Sequence, residues 1–112
     1  MDPAALKQVK IQTSVVKRIM KEHACYTKEV EKELQKIEKM KSEARNEDDE
    51  YAIKKAEQVL QETRLMISDT ARRCVRATEE LRKLIKDCSL EECQELTEAK
   101  AQVEAASAAL SS

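Results

Sequence analysis

The sequence has no Gly, no Phe and no Trp, and its one Pro is Pro3. Sheet proteins normally turn at Gly or Pro and build strands from β-branched and aromatic residues, and aromatic residues are 2% of this chain. Without Gly, the chain also lacks the phosphate-binding loops and nucleophile elbows of many enzymes. These absences exclude most sheet folds and several enzyme classes.

The composition that remains is that of a helical protein. Charged residues make up 38% of the 112 residues, and strong helix formers such as Ala, Glu, Lys, Leu, Arg and Gln dominate. We predict a single all-α domain over residues 1–112, built from long helices with few turns.

The net charge of −1 gives no overall preference for nucleic acid or for an acidic membrane surface. Residues 1–46 nevertheless carry 11 basic against 7 acidic residues, so the first part of the chain is basic and the rest is acidic. Two interpretations stay open: helices that attract one another across a bundle, or a basic face for an acidic protein partner.

No stretch approaches the roughly 20 apolar residues of a membrane span, and the N-terminus lacks the pattern of a signal peptide. We therefore expect a cytoplasmic protein. Its four cysteines, Cys25, Cys74, Cys88 and Cys93, are then predicted to be reduced thiols.

The first predicted helix spans about 3–44, with Asp2 as its cap and Pro3 at its first position. Apolar residues alternate at spacings of three and four, which predicts one buried stripe. That stripe contains Leu6, Val9, Thr13, Val16, Met20, His23, Thr27, Val30, Leu34, Ile37, Lys41 and Ala44, widened by Ile19, Tyr26 and Met40.

A polar stretch then predicts a turn at 45–48, with Asn46 in the left-handed conformation and Asp48 or Asp49 capping the next helix. The second helix is predicted over about 49–87. Its stripe is Ile53, Ala56, Leu60, Thr63, Ile67, Thr70, Cys74, Ala77, Leu81, Leu84 and Cys88. Ser68-Asp69 resembles a helix start, but the spacing passes through it unchanged, so we predict one helix with a weak or bent point near 68 and with both residues facing solvent.

Ser89 and Glu92 form a capping box that opens a third helix over about 90–109, with Cys88 and Cys93 as a hydrophobic staple around it. Its stripe is Leu90, Cys93, Leu96, Ala99, Val103, Ala106 and Leu110. Short turns between three helices predict an elongated, coiled-coil-like, antiparallel three-helix bundle with up-down-up order. The third helix covers half of the long pair, so a monomer and a homodimer are both open.

Sites for chemistry are scarce. His23 and Cys25 point about 200° apart on a helix and cannot share a metal ion, so His23 is interpreted as a histidine at the edge of the core. Cys88 and Cys93 are interpreted as apolar contacts, with a redox switch as the alternative. With one His and scattered acids, we expect no enzyme activity, cofactor or metal. The basic stripe Lys28, Lys32, Lys36 and Lys39 lacks stacking aromatics, so nucleic-acid binding is not expected.

Four segments together resemble the tubulin-binding cofactor A family, also called tubulin-specific chaperone A. They are KIQTSVVKR at 10–18, KE…Y-x-KE at 21–29, KIEKM at 36–40, and YAIKK…LQETRLMISD…RR at 51–73. The resemblance covers roughly residues 8–85. The family's Met-Ile-Pro-Asp is Met66-Ile67-Ser68-Asp69 here, and Ser68 should leave the helix straighter than Pro would, because Pro removes a hydrogen bond.

The resemblance implies a non-catalytic three-helix chaperone in the cytoplasm and microtubule cytoskeleton. It would capture β-tubulin monomers or folding intermediates for αβ-heterodimer assembly, working with other tubulin-folding cofactors. The candidate partner-binding residues are exposed charges that match the family, and reversing Arg72 and Arg73 should weaken capture. They are Lys17, Arg18, Lys21, Lys36, Lys39, Lys54, Lys55, Glu62, Arg64, Asp69, Arg72 and Arg73.

The alternative function is a structural coiled-coil adaptor or assembly subunit without tubulin specificity. Composition and periodicity fit both interpretations, and the order of the four segments favours the chaperone.

Overall fold

The computed structural model describes residues 3–87 and 93–111. Over these ranges the chain forms three α-helices and no strand: α1 (Pro3–Glu43), α2 (Glu47–Asp87) and α3 (Gln94–Ser111). The predicted all-α, three-helix fold is confirmed. Several predicted features lie outside the described residues: the Asp2 cap, the Ser89/Glu92 capping box, Leu90, and Cys88, which is one partner of the predicted cysteine staple.

α2 passes through Ser68-Asp69 without a break, as the apolar spacing predicts. Every described residue of its predicted stripe is buried or half-buried, from Ile53 to Leu84. Ser68 is exposed as predicted, but Asp69 is half-buried and does not face solvent fully. Within α3, the predicted stripe from Cys93 to Leu110 is likewise buried or half-buried.

The chain divides into two compact units, Met1–Glu22 with Thr70–Ser112, and His23–Asp69. We call them the three-helix unit and the two-helix unit, after the helices that each contains. α1 and α2 each contribute a segment to both units.

The three-helix unit contains a continuous apolar core. Its most buried side chains come from all three helices and include Val9, Val16, Cys74, Leu81 and Ala106. Polar contacts connect the same helices: Gln12 Nε2 donates to the carbonyl oxygen of Ala77 (2.9 Å), and Gln102 Nε2 donates to Met20 Sδ (2.8 Å). α1 thus packs against α2 on one side and against α3 on the other.

The two-helix unit has a thinner core, with Ile37, Ile53, Leu60 and Thr63 as its buried side chains. Thr63 Oγ1 donates to Glu33 Oε1 (2.9 Å), which pairs α1 with α2 across this core. The antiparallel order of α1 and α2 is seen within the three-helix unit, where Gln12 meets Ala77 and the later residue Glu22 meets the earlier residue Arg73.

The predicted stripe of α1 is wrong at Thr27, Leu34 and Lys41, which are exposed in the two-helix unit. The inward positions there are one residue earlier and include Tyr26, Glu33 and Met40. In the three-helix unit both sides of the stripe are covered, because Ile19 and Met20 are both inward. The two-helix unit has no third helix to cover the side of α1 that bears Leu34.

The connection between α1 and α2 also differs from the prediction. No described residue has a positive φ, so Asn46 is not left-handed. Asn46 itself caps α2: its Oδ1 accepts from the Asp49 backbone N–H (2.9 Å), and its carbonyl oxygen accepts from Glu50 N (3.2 Å). Asp49 Oδ2 in turn accepts from the Arg45 N–H (3.0 Å). These bonds satisfy N–H groups that a helix start leaves unpaired.

None of the helices described in residues 3–87 and 93–111 has an apolar stretch long enough to cross a membrane.

Candidate partner-binding surface

The twelve charged residues predicted to bind a partner lie on α1 and α2. Ten are exposed, and the other two, Asp69 and Arg73, are half-buried. Lys17, Arg18, Lys21, Arg72 and Arg73 belong to the three-helix unit, and the remaining seven belong to the two-helix unit. The set therefore forms two groups, which are described separately.

On the three-helix unit, Lys17, Arg18 and Lys21 occupy neighbouring exposed positions of α1, because residues three and four apart share a helix face. Arg18 also borders a shallow apolar depression formed by Ile11 and Val15 on the same helix. This part of α1 can offer a basic surface with a small apolar centre.

Arg72 and Arg73 have different surroundings, although they are adjacent in sequence. The Arg73 guanidinium Nη1 donates to Glu22 Oε1 (3.3 Å), which joins α2 to α1 within the three-helix unit. Arg72 lies instead beside Val75 and Leu110 at a groove between α2 and α3. Reversing Arg73 would therefore break an ion pair inside the three-helix unit, whereas reversing Arg72 would change the charge at the edge of this groove.

On the two-helix unit, Lys36 and Lys39 lie three residues apart on α1, and both are exposed. On α2, the Lys55 ammonium lies 5.4 Å from the centroid of the Tyr51 ring, within the range of a cation–π contact. Such a contact orders the lysine side chain at the surface.

An apolar surface beside these charges was missed by the sequence reasoning. Most of the large exposed apolar side chains of the two-helix unit follow one face of α2, with Leu65 at 68% exposure. We call this surface the outer face of α2; its residues are Tyr51, Lys55, Val59, Glu62, Leu65 and Met66. Spacings of three and four place these residues on one side of a helix.

A signal for the outer face of α2 was present in the sequence. Tyr51, Val59 and Met66 recur at spacings of eight and seven, off the positions assigned to the core. A second apolar stripe on a helix whose first stripe is already buried indicates a surface for a partner.

The remaining candidate groups lie apart from one another. His23 is half-buried, Cys25 is exposed and Cys74 is buried, and both thiols are free, as is that of Cys93. Within the described ranges, no three His, Cys, Asp or Glu side chains are placed to hold a metal ion. What the arrangement offers is binding, through charged helix faces and an exposed apolar stripe.

Comparison with known proteins gives consistent matches. The family model described as Tubulin binding cofactor A matches residues 4–105. The chain is 46% identical over 100 residues to "Tubulin-specific chaperone A" of Gallus gallus, covering 88% of this chain and 90% of that protein. It is 45% identical over 96 residues to the protein of the same name from Rattus norvegicus, covering 85% and 86%.

Solved structures match the fold. The crystal structure of tubulin folding cofactor A from Arabidopsis thaliana superposes with a TM-score of 0.86 at 34% identity, covering 94% of this chain and 97% of that one. The human tubulin chaperone cofactor A superposes with a TM-score of 0.75 at 38% identity, covering 92% and 98%. The resemblance seen over residues 8–85 thus extends into α3.

Proposed function

Because the chain belongs to the tubulin binding cofactor A family, we propose that it captures β-tubulin monomers or folding intermediates and holds them for assembly of the αβ-heterodimer. The observation that carries this proposal is the family match over residues 4–105, which includes most of all three helices. Relatives are named as tubulin-specific chaperones or as a tubulin-folding cofactor.

The chain is not an enzyme, because the cofactor A family consists of non-catalytic chaperones. Its function must therefore come from binding a client and releasing it. Complementary charge speeds encounter and selects the partner more than it raises affinity, which suits a protein that must hand its client on.

We place the contact with β-tubulin on the twelve charged residues together with the outer face of α2. Charged residues alone give little affinity when they stay exposed, whereas a few anchor side chains that become fully desolvated at the centre of an interface account for most of its binding energy. The outer face of α2 supplies such anchors in Leu65 and Met66 next to Arg64. In this proposal the charges orient the client, and the apolar residues hold it.

The proposal also assigns partners and location. The chain would act in the cytoplasm, in association with the microtubule cytoskeleton, and would exchange its client with other tubulin-folding cofactors. Binding of nucleic acid or membranes forms no part of this role. A monomer and a homodimer both remain compatible with it.

The competing hypothesis is a structural adaptor that has the same fold but no preference for tubulin. Affinity purification from cytosolic extract separates the two. Recovery of β-tubulin without an equal amount of α-tubulin supports the chaperone, whereas recovery of a different major partner with no excess of β-tubulin supports the adaptor.

The placement of the contact is tested by Leu65→Asp. We expect this change to weaken capture of β-tubulin by about tenfold or more, because it removes an apolar anchor and places an acid in the interface. Capture is measured with purified β-tubulin by native electrophoresis at increasing concentrations of the chain. Circular dichroism should show unchanged helicity, because Leu65 is exposed.

Leu34→Asp is the matched control. Leu34 is also an exposed leucine of the two-helix unit, but it lies on α1 with Glu31 and Glu38 as its neighbours one turn away. We expect it to change capture by less than about twofold. Equal losses in both variants would contradict the placement on α2, while capture itself would still support the function.

A further inference from the structure

A groove runs between α2 and α3 in the three-helix unit. Its widest part has a volume of about 520 Å³ and is lined by Ala71, Val75 and Leu110 together with two arginines. It continues past Val75 and Leu110 to Arg82, and from Arg82 to Ile85 and Val103. Along α2 it extends from Ala71 to Lys86, which is about 22 Å or four helical turns.

The floor of this groove is apolar. Ile85, Val103 and Leu110 pack against the core of the three-helix unit and are themselves half-buried. Val75 is 44% exposed, although it is a large aliphatic residue on a helix with another buried stripe. The floor therefore presents exposed apolar area between α2 and α3, which a segment of a partner protein could bury.

The walls of the groove are basic. Five basic residues stand against two acidic ones, Glu79 and Glu104. The basic residues are Arg72, Arg76, Arg82, Lys86 and Lys100. The groove thus carries an excess of three positive charges, on a chain whose net charge is −1. Arg82 is held in place by a hydrogen bond from its Nη2 to Ser107 Oγ (2.7 Å).

Two other depressions of the three-helix unit lack this combination. The one between α1 and α2 carries two acids, Glu80 and Asp87, against one base, Lys83, so it offers no net attraction for an acid. The depression at Ile11 is basic, with Lys7, Lys10 and Arg18, but it lies on α1 alone and has no second helix as a wall.

We propose that the groove between α2 and α3 is a docking site for an acidic amphipathic helix of a partner protein. Leucine-like side chains at spacings of three and four would pack on Val75 and Leu110 and, further along, on Ile85 and Val103. Glutamates beside them would face the arginines on the walls. The proposal rests on the groove alone, and it holds whether or not β-tubulin is the client.

The shape and charge of the groove favour a helix over other occupants. A helix laid in a groove between two helices buries one apolar stripe and leaves its flanks polar, which matches an apolar floor between charged walls. Nucleic acid would meet the positive charge but would leave the apolar floor uncovered, and no aromatic side chain lines the groove for base stacking.

The test uses the whole chain and a fluorescein-labelled synthetic peptide of about five helical turns, with Leu at spacings of three and four and Glu on both flanks. Fluorescence anisotropy should show saturable binding that weakens as salt is raised. Two matched peptides, with Gln for each Glu or Ser for each Leu, should each bind about tenfold more weakly. Equal binding of the Gln peptide would overturn the assignment of an acidic partner.

A variant of the chain locates the site. Val75→Asp combined with Arg76→Glu should weaken binding of the acidic peptide by about tenfold or more, because it places two acids at the widest part of the groove. The matched control is Ile11→Asp combined with Lys10→Glu, which makes the same changes at exposed positions of α1 in the same unit. It should leave binding within about twofold of the unmodified chain.

Two outcomes would overturn the proposal. If the Ile11/Lys10 variant loses binding and the Val75/Arg76 variant keeps it, the peptide binds α1 and not the groove. If light scattering shows a concentration-dependent dimer that Val75→Asp dissolves, a second copy of this chain fills the groove. Circular dichroism of both variants checks that helicity is kept, and the peptide series provides an independent readout that needs no variant.

Discussion

The two units of this chain use the same two helices but differ in what their apolar residues do. In the three-helix unit, side chains such as Val9, Val16 and Leu81 are fully buried, because α3 closes the side that α1 and α2 leave open. In the two-helix unit, the buried side chains Ile37, Ile53, Leu60 and Thr63 are still 6–9% exposed. Among the described residues, five of the seven large exposed apolar residues belong to this unit: Leu34, Tyr51, Val59, Leu65 and Met66.

The two units therefore differ in how much of their apolar surface the chain itself buries. Two helices alone cannot enclose an apolar core, so the two-helix unit keeps apolar surface that a partner can bury. The free energy of unfolding of this unit is also lowered by a buried polar atom, because Glu33 Oε2 has no hydrogen-bond partner among the described residues. The three-helix unit contains most of the fully packed side chains, and the two-helix unit carries most of the large apolar side chains that are exposed among the described residues.

The largest expected difference between the two units is in the effect of truncating a buried leucine. Leu81→Ala, in the three-helix unit, should lower the free energy of unfolding by about 3–5 kcal/mol, because it leaves a cavity enclosed by three helices. Leu60→Ala, in the two-helix unit, should lower it by about 2 kcal/mol, the low end for such truncations, since solvent and neighbouring side chains can fill its place. Urea denaturation followed by circular dichroism measures both.

Leu65→Ala serves as the control for these truncations. Leu65 is 68% exposed, so its truncation should change the free energy of unfolding by less than about 0.5 kcal/mol. Equal costs for Leu81→Ala and Leu60→Ala would show that the two cores are equivalent and would remove the basis of the comparison.

A second test measures opening of the two units without a substitution. Amide hydrogens at 53–63 of α2 should exchange with opening free energies about 1–2 kcal/mol lower than those at 74–81 of the same helix. The reason is that the first segment packs against one helix and the second against two. Hydrogen exchange followed by mass spectrometry resolves both segments in one sample.

Leu81→Ala provides the contrast for the exchange experiment. By weakening the three-helix unit it should narrow the difference in opening free energy between the two segments. If 53–63 is already as protected as 74–81 in the unmodified chain, the two-helix unit does not open separately. The apolar residues exposed on it would then not lower its opening free energy.

Sequence reasoning succeeded where one rule decides the outcome. The stripe of α2 was predictable because its apolar spacing is unbroken from Ile53 to Leu84, and a helix with that pattern buries it. The same rule was wrong at Leu34, because the sequence of α1 does not show which of its sides a third helix reaches. Asn46 was expected in a left-handed turn and instead caps α2; both uses of Asn follow from its short polar side chain.

The exposure of the charged candidate residues was largely predictable from the sequence, whereas the exposed apolar residues beside them were missed; the role of the charged residues in binding stays a prediction. Exposed residues such as Lys36 and Arg64 follow from their distance to the buried stripe. Leu65, Met66 and Val75 were missed as exposed apolar residues, because the apolar spacing of α2 was used only to find its buried stripe and these residues lie off that stripe. Arg73 was predicted to be an exposed charge, but it is half-buried and paired with Glu22. That pairing could not be predicted, because it depends on how α1 and α2 align.

The smallest effect concerns the ion pair between Glu22 of α1 and Arg73 of α2 within the three-helix unit. Both side chains are partly exposed, at 35% and 40%, so a double-mutant cycle with Glu22→Gln and Arg73→Gln should give a coupling energy of about 0.5 kcal/mol that falls as salt is raised. Pairing Glu22→Gln with Arg76→Gln, one turn further along α2, is the control and should give a coupling near zero. A coupling energy well above 1 kcal/mol would mean that this ion pair contributes to the stability of the three-helix unit on the scale of a packed side chain. The difference in stability between the two units would then depend on charge as well as on α3.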